Sequence, residues 1–64
     1  MYVVRVAGRE RWLRLVANPY ESDVTAQFLR RRAATPMAHP EALAAARLFG
    51  AVRPELRLVL EDAV

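Results

Sequence analysis

The chain has 64 residues, no cysteine and a formal net charge of +3. This length forms at most one domain, and the lack of cysteine excludes disulfides and thiolate metal sites. We therefore expect a single domain over residues 1–64. Because so small a core is marginally stable, we also predict that self-association supplements it, as a homodimer or another homo-oligomer.

All ten basic residues are arginine and none is lysine. A guanidinium can bind a carboxylate or a phosphate through two hydrogen bonds and can stack on an aromatic ring. The exclusive use of arginine therefore has two explanations. One is the binding of carboxylates or phosphates, and the other is a GC-rich genome, which also favours arginine over lysine. The weakly positive charge permits nucleic-acid binding without requiring it.

No membrane segment is expected. The longest nearly apolar run, residues 42–52, contains Arg47 and is too short to span a bilayer. The first residues do not have the pattern of a signal peptide. We therefore predict a cytoplasmic location and no contact with a membrane.

The N-terminal part of the chain predicts a β-hairpin. Residues 2–6 and 12–16 are rich in β-branched and aromatic residues, and Gly8 in the turn between them can adopt a positive φ. Pairing Val6 with Arg11 gives the hairpin two faces. The expected core face carries Tyr2, Val4, Leu13 and Leu15. The opposite face carries Val3, Arg5, Trp12 and Arg14.

A first helix is predicted over residues 19–34. Asn18 followed by Pro19 is typical of a helix start, with Ser22 as a competing cap. A recurrence every four residues then gives one apolar stripe. The residues of that stripe are Tyr20, Val24 and Phe28.

The remaining elements are a second helix and a third strand. Pro40 opens a helix over residues 40–50, and Gly50 is its expected stop. Alternating leucines predict a strand over residues 55–61. The order strand, strand, helix, helix, strand predicts an α+β fold. We expect a small two-layer ββααβ domain, with a three-stranded sheet and a helical pair on one face.

The residues needed for enzymatic chemistry are missing from this sequence. The hydroxyls other than tyrosine are Ser22, Thr25 and Thr35, and the single histidine, His39, has no evident catalytic or ligating partner. Two glycines cannot build a phosphate-binding loop. We therefore predict no catalytic residue, no bound metal and no cofactor, and the protein is not expected to be an enzyme.

The triple arginine, Arg30, Arg31 and Arg32, has two explanations. In the last turn of the predicted helix, these cations would offset the helix dipole and face solvent. Alternatively, they form a secondary basic contact with phosphates or an acidic partner.

The outer face of the sheet is the stronger candidate site. Trp12 is expected there beside Arg5 and Arg14, with Arg57 added if the third strand joins the sheet. Arg5 would stack on the indole as a structural cation–π pair. The same group could instead stack a nucleic-acid base and bind phosphates. As a third possibility, it forms a contact for another protein, since tryptophan and arginine are enriched in such hot spots.

We therefore predict a small non-catalytic protein-binding module that acts as an accessory, regulatory or inhibitor protein. A small protein of a phage or a mobile element would fit this description. The predicted partner-binding residues are Arg5, Trp12, Arg14 and Arg57, and an acidic protein surface would suit them. The alternative is a nucleic-acid-binding protein that uses the same arginine and tryptophan face.

Overall fold

The computed structural model describes residues 1–64. It contains four strands, one short 3₁₀ turn and one helix. In chain order these are β1 (Tyr2–Val6), β2 (Trp12–Ala17), β3 (Val24–Leu29), the 3₁₀ turn (Arg31–Ala33), α1 (His39–Val52) and β4 (Leu58–Asp62). The predicted α+β class is confirmed. The three-stranded sheet and the helical pair are wrong in detail, because the protein has one more strand and one fewer helix.

The four strands form one antiparallel sheet in the order β3-β2-β1-β4. The hairpin register is confirmed, since the Val6 amide donates to the Arg11 carbonyl at 2.9 Å and Arg5 lies opposite Trp12. Gly8 in the turn has a φ of 76°. The last strand adds to the free side of β1, where Val59 lies opposite Arg5.

The helix predicted over residues 19–34 is wrong. The Asn18 side chain accepts a hydrogen bond from the Tyr20 amide at 2.9 Å, and the Glu21 amide bonds to the Asn18 carbonyl at 3.3 Å. These bonds form a tight turn, after which the chain enters β3. The four-residue spacing misled because residues i and i+4 share a face in a strand as well as in a helix. The Tyr20 side chain is 94% exposed, so it packs in neither arrangement.

The second predicted helix is confirmed as α1, with a different end. Gly50 lies inside the helix, which continues to Val52. The Arg53 amide donates to the Phe49 carbonyl at 2.9 Å, and Pro54 follows. Because the residue before a proline is disfavoured in the helical region, Pro54 rather than Gly50 determines where the helix stops.

The core lies between α1 and the sheet. It is built on Val4, Leu13, Met37, Ala42 and Ala45. The helix packs mainly on β1 and β4, so it leaves the β3 side of the sheet less covered. There Phe28 is half-buried and Val24 is exposed. The predicted alternation of the last strand is confirmed, since Leu58 and Leu60 pack against the core while Val59 is exposed.

The segment between the 3₁₀ turn and α1 enters the sheet between β1 and β2. The Thr35 amide donates to the Leu13 carbonyl at 3.0 Å, and the Thr35 hydroxyl accepts from the Leu15 amide at 2.9 Å. On the other side, the Met37 and Tyr2 backbones exchange hydrogen bonds of 2.7 and 2.8 Å. As a result, β1 and β2 pair directly only near their hairpin turn.

Candidate functional site

The outer face of the sheet is covered around Trp12, whereas Val16 and Val59 on the same face are exposed. Trp12 is only 4% exposed, which argues against the explanation that its ring is an open platform for a nucleic-acid base. The cover comes from the region of the 3₁₀ turn, where Arg14 Nη1 donates to the Ala33 carbonyl at 3.2 Å. Arg31 and Arg32 lie in this turn and not at a helix end, so the helix-dipole explanation for them fails. In this conformation the indole offers no surface on which a base could stack.

Glu61 lies at the centre of this covered face. Its Oε1 accepts from Arg31 Nε at 3.1 Å and from Trp12 Nε1 at 3.3 Å, and its Oε2 accepts from Arg5 Nη1 at 3.2 Å. The Arg31 hydrogen bond, aided by those from Arg5 and Trp12, lowers the pKa of Glu61 below its usual value. Arg31 also donates from Nη2 to the Asp62 carbonyl at 2.7 Å. The carboxylate therefore ties β2 and the 3₁₀ turn to β4.

The guanidinium of Arg5 uses all three of its nitrogens in hydrogen bonds within the chain. It donates from Nε to the Arg9 carbonyl at 2.9 Å, and its two terminal nitrogens bond to Glu61 and Glu10. Its Cζ lies 4.7 Å from the centroid of the Trp12 ring. This is the geometry of the cross-strand cation–π pair. These contacts occupy each of the three guanidinium nitrogens once, so Arg5 is held by partners in its own chain.

The other predicted contact residues are separated from this cluster. Arg14 and Arg57 are exposed, and neither forms an ion pair. Arg30 and Arg32 are likewise exposed and unpaired, whereas Arg31 is bound to Glu61. The structure therefore joins Arg5, Trp12 and Arg31 through Glu61 and leaves the other predicted arginines exposed and without an ion pair.

A groove at the hairpin end of the sheet gathers four arginines. Two adjoining depressions of about 220 and 420 Å³ share Val6, Arg9, Arg53 and Leu56 among their lining residues. Phe28 and Arg11 line the first, and Arg57 lines the second. We call this combined surface the basic groove. Its apolar floor is Val6, Phe28 and Leu56, and its basic rim is Arg9, Arg11, Arg53 and Arg57.

The basic groove carries excess positive charge. Its carboxylate, Glu55, is bound to Arg53 at 2.9 Å. The pKa of Glu55 is lowered by its own backbone N–H and then by Arg53, which keeps this carboxylate ionised. Arg11 donates to the Glu10 carbonyl at 2.8 Å, and Arg9 and Arg57 have no ion-pair partner. The rim can therefore accept further negative charge.

Pairing of β1 with β4 creates this groove. The register that aligns Arg5 with Val59 continues beyond the strands, where the Ala7 amide donates to the Arg57 carbonyl at 2.7 Å. It brings the hairpin turn beside the turn that follows α1. The predicted contact residues did not include Arg9, Arg11 and Arg53, because the grouping of these residues depends on strand order. The signal available was the presence of arginines at both turns.

The fold and the groove define a small α+β domain with a four-stranded antiparallel sheet, one helix and a basic cleft at one end of the sheet. No protein-family model, curated protein or solved structure matches the chain. No three histidine, aspartate or glutamate residues are grouped so that they could hold a metal ion. The single helix does not have the length and hydropathy needed to cross a bilayer.

Proposed function

We propose that the protein is a small non-catalytic protein-binding module, which acts as an accessory, regulatory or inhibitor protein by binding an acidic segment of its partner in the basic groove. The observation that carries this proposal is the set of four rim arginines around an apolar floor. A cytoplasmic location, as expected from the sequence, is part of the proposal.

The chemistry of the groove favours a peptide segment over a nucleic acid. Guanidiniums bind carboxylates and phosphates equally well in geometry, so the rim alone does not discriminate. Contact with the floor of Val6, Phe28 and Leu56 favours binding only when the ligand supplies an apolar group. A chain with leucine-like side chains among aspartates or glutamates supplies both groups. The nucleic-acid alternative also loses its main support, because Trp12 is buried.

The four contact residues predicted from the sequence have different roles in the proposed function. Arg57 belongs to the rim of the groove, and Arg14 is an exposed residue outside it. Arg5 acts indirectly, since its Nε holds the Arg9 carbonyl and thereby fixes the hairpin turn. Trp12 supports Arg5 from below through the stacked ring.

A peptide-binding measurement tests the proposal. The probe is a fluorescein-labelled peptide with two central leucines flanked by aspartates and glutamates. Its binding is measured by fluorescence anisotropy. Each rim arginine should contribute about 1 kcal/mol, so the double variant Arg9→Gln/Arg11→Gln should bind about thirtyfold more weakly. The matched control is Arg30→Gln/Arg32→Gln, which removes the same charge outside the groove and should bind with little change.

Two further probes separate the alternatives. Replacing the two leucines of the peptide by serines should weaken binding, because the floor then gains no apolar contact. A single-stranded oligonucleotide of equal charge should compete poorly. The proposal is wrong if the oligonucleotide binds more tightly than the peptide, or if both double variants lose binding to the same extent. Equal loss would indicate a diffuse charge effect that salt alone screens.

A further inference from the structure

The two edges of the sheet differ in how they are protected. The β4 edge carries Glu61 and Asp62, and the Asp62 carbonyl is occupied by Arg31. The β3 edge consists of residues 24–29, none of which is charged. Strand β3 pairs with β2 on one side and has no neighbouring strand on its other side. Charges, prolines or bulges normally prevent such an edge from pairing with another chain. Strand β3 has none of the charges or prolines that would do so.

The backbone groups that β3 turns outward can be identified. The Leu13 carbonyl and the Leu15 amide bond to Thr35, which lies on the side of β2 away from β3. Backbone groups alternate in an antiparallel pair, so β2 bonds to β3 through its other residues, whose partners are Thr25, Gln27 and Leu29. The outward-facing amides and carbonyls therefore belong to Val24, Ala26 and Phe28.

We propose that a second copy of the chain pairs antiparallel with β3 about a twofold axis at Ala26. This register sets Val24 against the partner's Phe28 and Ala26 against the partner's Ala26. Among antiparallel registers it is the one that engages all three outward-facing residues of both strands. The two sheets then continue into one, as an isologous contact requires.

Side chains and charges suit this pairing. The Val24 side chain is 53% exposed. It would meet the partner's Phe28 on the face of the sheet that carries α1, at the β3 side, which the helix covers less. Pairs of an aromatic and a β-branched residue stabilise neighbouring strands. Asp23 and Arg30 flank β3 and form no ion pair within the chain. Antiparallel pairing places the acidic end of each strand beside the basic end of the other, with Asp23 one position from the partner's Arg30, whereas parallel pairing would place like ends together.

The absence of cysteine permits a clean cross-linking test. The proposed register sets Thr25 opposite the partner's Gln27, at a Cα separation of about 4.5 Å, which a disulfide can bridge. Mixing Thr25→Cys protein with Gln27→Cys protein under mild oxidation should therefore give a disulfide-linked dimer. Thr25→Cys protein alone should cross-link several-fold less, because its two thiols lie diagonally. Equal cross-linking with and without mixing would overturn the register.

Sedimentation velocity tests the dimer itself. We expect the wild-type chain to associate reversibly, and Val24→Lys to raise the dimer dissociation constant at least tenfold. The matched control is Leu48→Lys on α1, where the leucine is 60% exposed, and it should associate like wild type. Far-UV circular dichroism confirms that both variants fold. A wild-type monomer at every concentration tested, or loss of association only in Leu48→Lys, would overturn the proposal. Peptide binding in the basic groove is measured separately, so either proposal can fail alone.

Discussion

Replacing Trp12 by alanine is expected to destabilise the whole fold rather than to remove a binding surface. The side chain is almost fully buried, stacks under the Arg5 guanidinium and donates its indole N–H to Glu61. Truncating a buried tryptophan costs about 3–5 kcal/mol, because both the transfer free energy and the contacts lining the cavity are lost. The loss of the cation–π contact is part of this cost.

The size of the chain makes this cost decisive. Domains are stable by about 0.05–0.15 kcal/mol per residue, which gives about 3–10 kcal/mol for a chain of this length. Trp12→Ala should therefore remove a large share of the free energy of unfolding and lower the thermal midpoint by at least about 12 °C. Trp12→Phe keeps the aromatic packing and loses the hydrogen bond to Glu61, so its cost should be about 1–2 kcal/mol.

Urea denaturation followed by far-UV circular dichroism measures these effects, since Trp12→Ala removes the only tryptophan and its fluorescence. The matched control is Tyr20→Ala, because the Tyr20 ring is almost fully exposed and its removal should change stability by less than about 0.5 kcal/mol. If Trp12→Ala costs less than about 1 kcal/mol, the indole is exposed in solution. The outer face would then be open, and the burial argument would be refuted.

Three smaller perturbations test other parts of the fold. The pKa of Glu61 is lowered in the folded state, so the ionised carboxylate stabilises the fold above the unfolded-state pKa of about 4.3. This stabilisation is lost as pH falls through the lower folded-state value. Thermal melts at a series of pH values should show the loss, and Glu61→Gln should make the melts less dependent on pH. Gly8→Ala should cost about 1 kcal/mol by urea denaturation, because φ is positive and the added Cβ meets no atom, whereas an equal cost for Gly8→Asn would argue against a backbone origin. Thr35→Val should cost about 1–2 kcal/mol in the same assay, because the Leu15 amide loses its acceptor, and a neutral result would show that water replaces the hydroxyl.

Local features were predictable from the sequence. The β1–β2 hairpin depends on a glycine turn between two adjacent segments, so its register and faces follow from neighbouring residues. Helix α1 and strand β4 also have clear periodicity, and only their ends differ from the predictions. The packing of Val4 and Leu13 in the core followed from the hairpin faces.

Nonlocal features were not predictable. Strand β3 is ambiguous because its apolar residues, Val24 and Phe28, are four residues apart, a spacing that places them on one face in a helix as well as in a strand. Its pairing with β2 decides the outcome, and that pairing is a tertiary interaction. The burial of Trp12 depends on a segment nineteen or more positions later in the chain, which passes over the outer face. The basic groove likewise requires β4 to pair with β1.

The geometry around Glu61 gives a structural reason for arginine at two of the ten basic positions. Arg5 bonds in three directions while it stacks on Trp12, and Arg31 bonds at once to the Glu61 carboxylate and the Asp62 carbonyl. A lysine ammonium is a compact point charge, so it could not span these acceptors. The exposed Arg30, in contrast, forms no ion pair within the chain that would require a guanidinium. Arginine therefore has two roles in this chain: it holds the outer face together around Glu61, and at the hairpin end it forms the positively charged rim on which the proposed function depends.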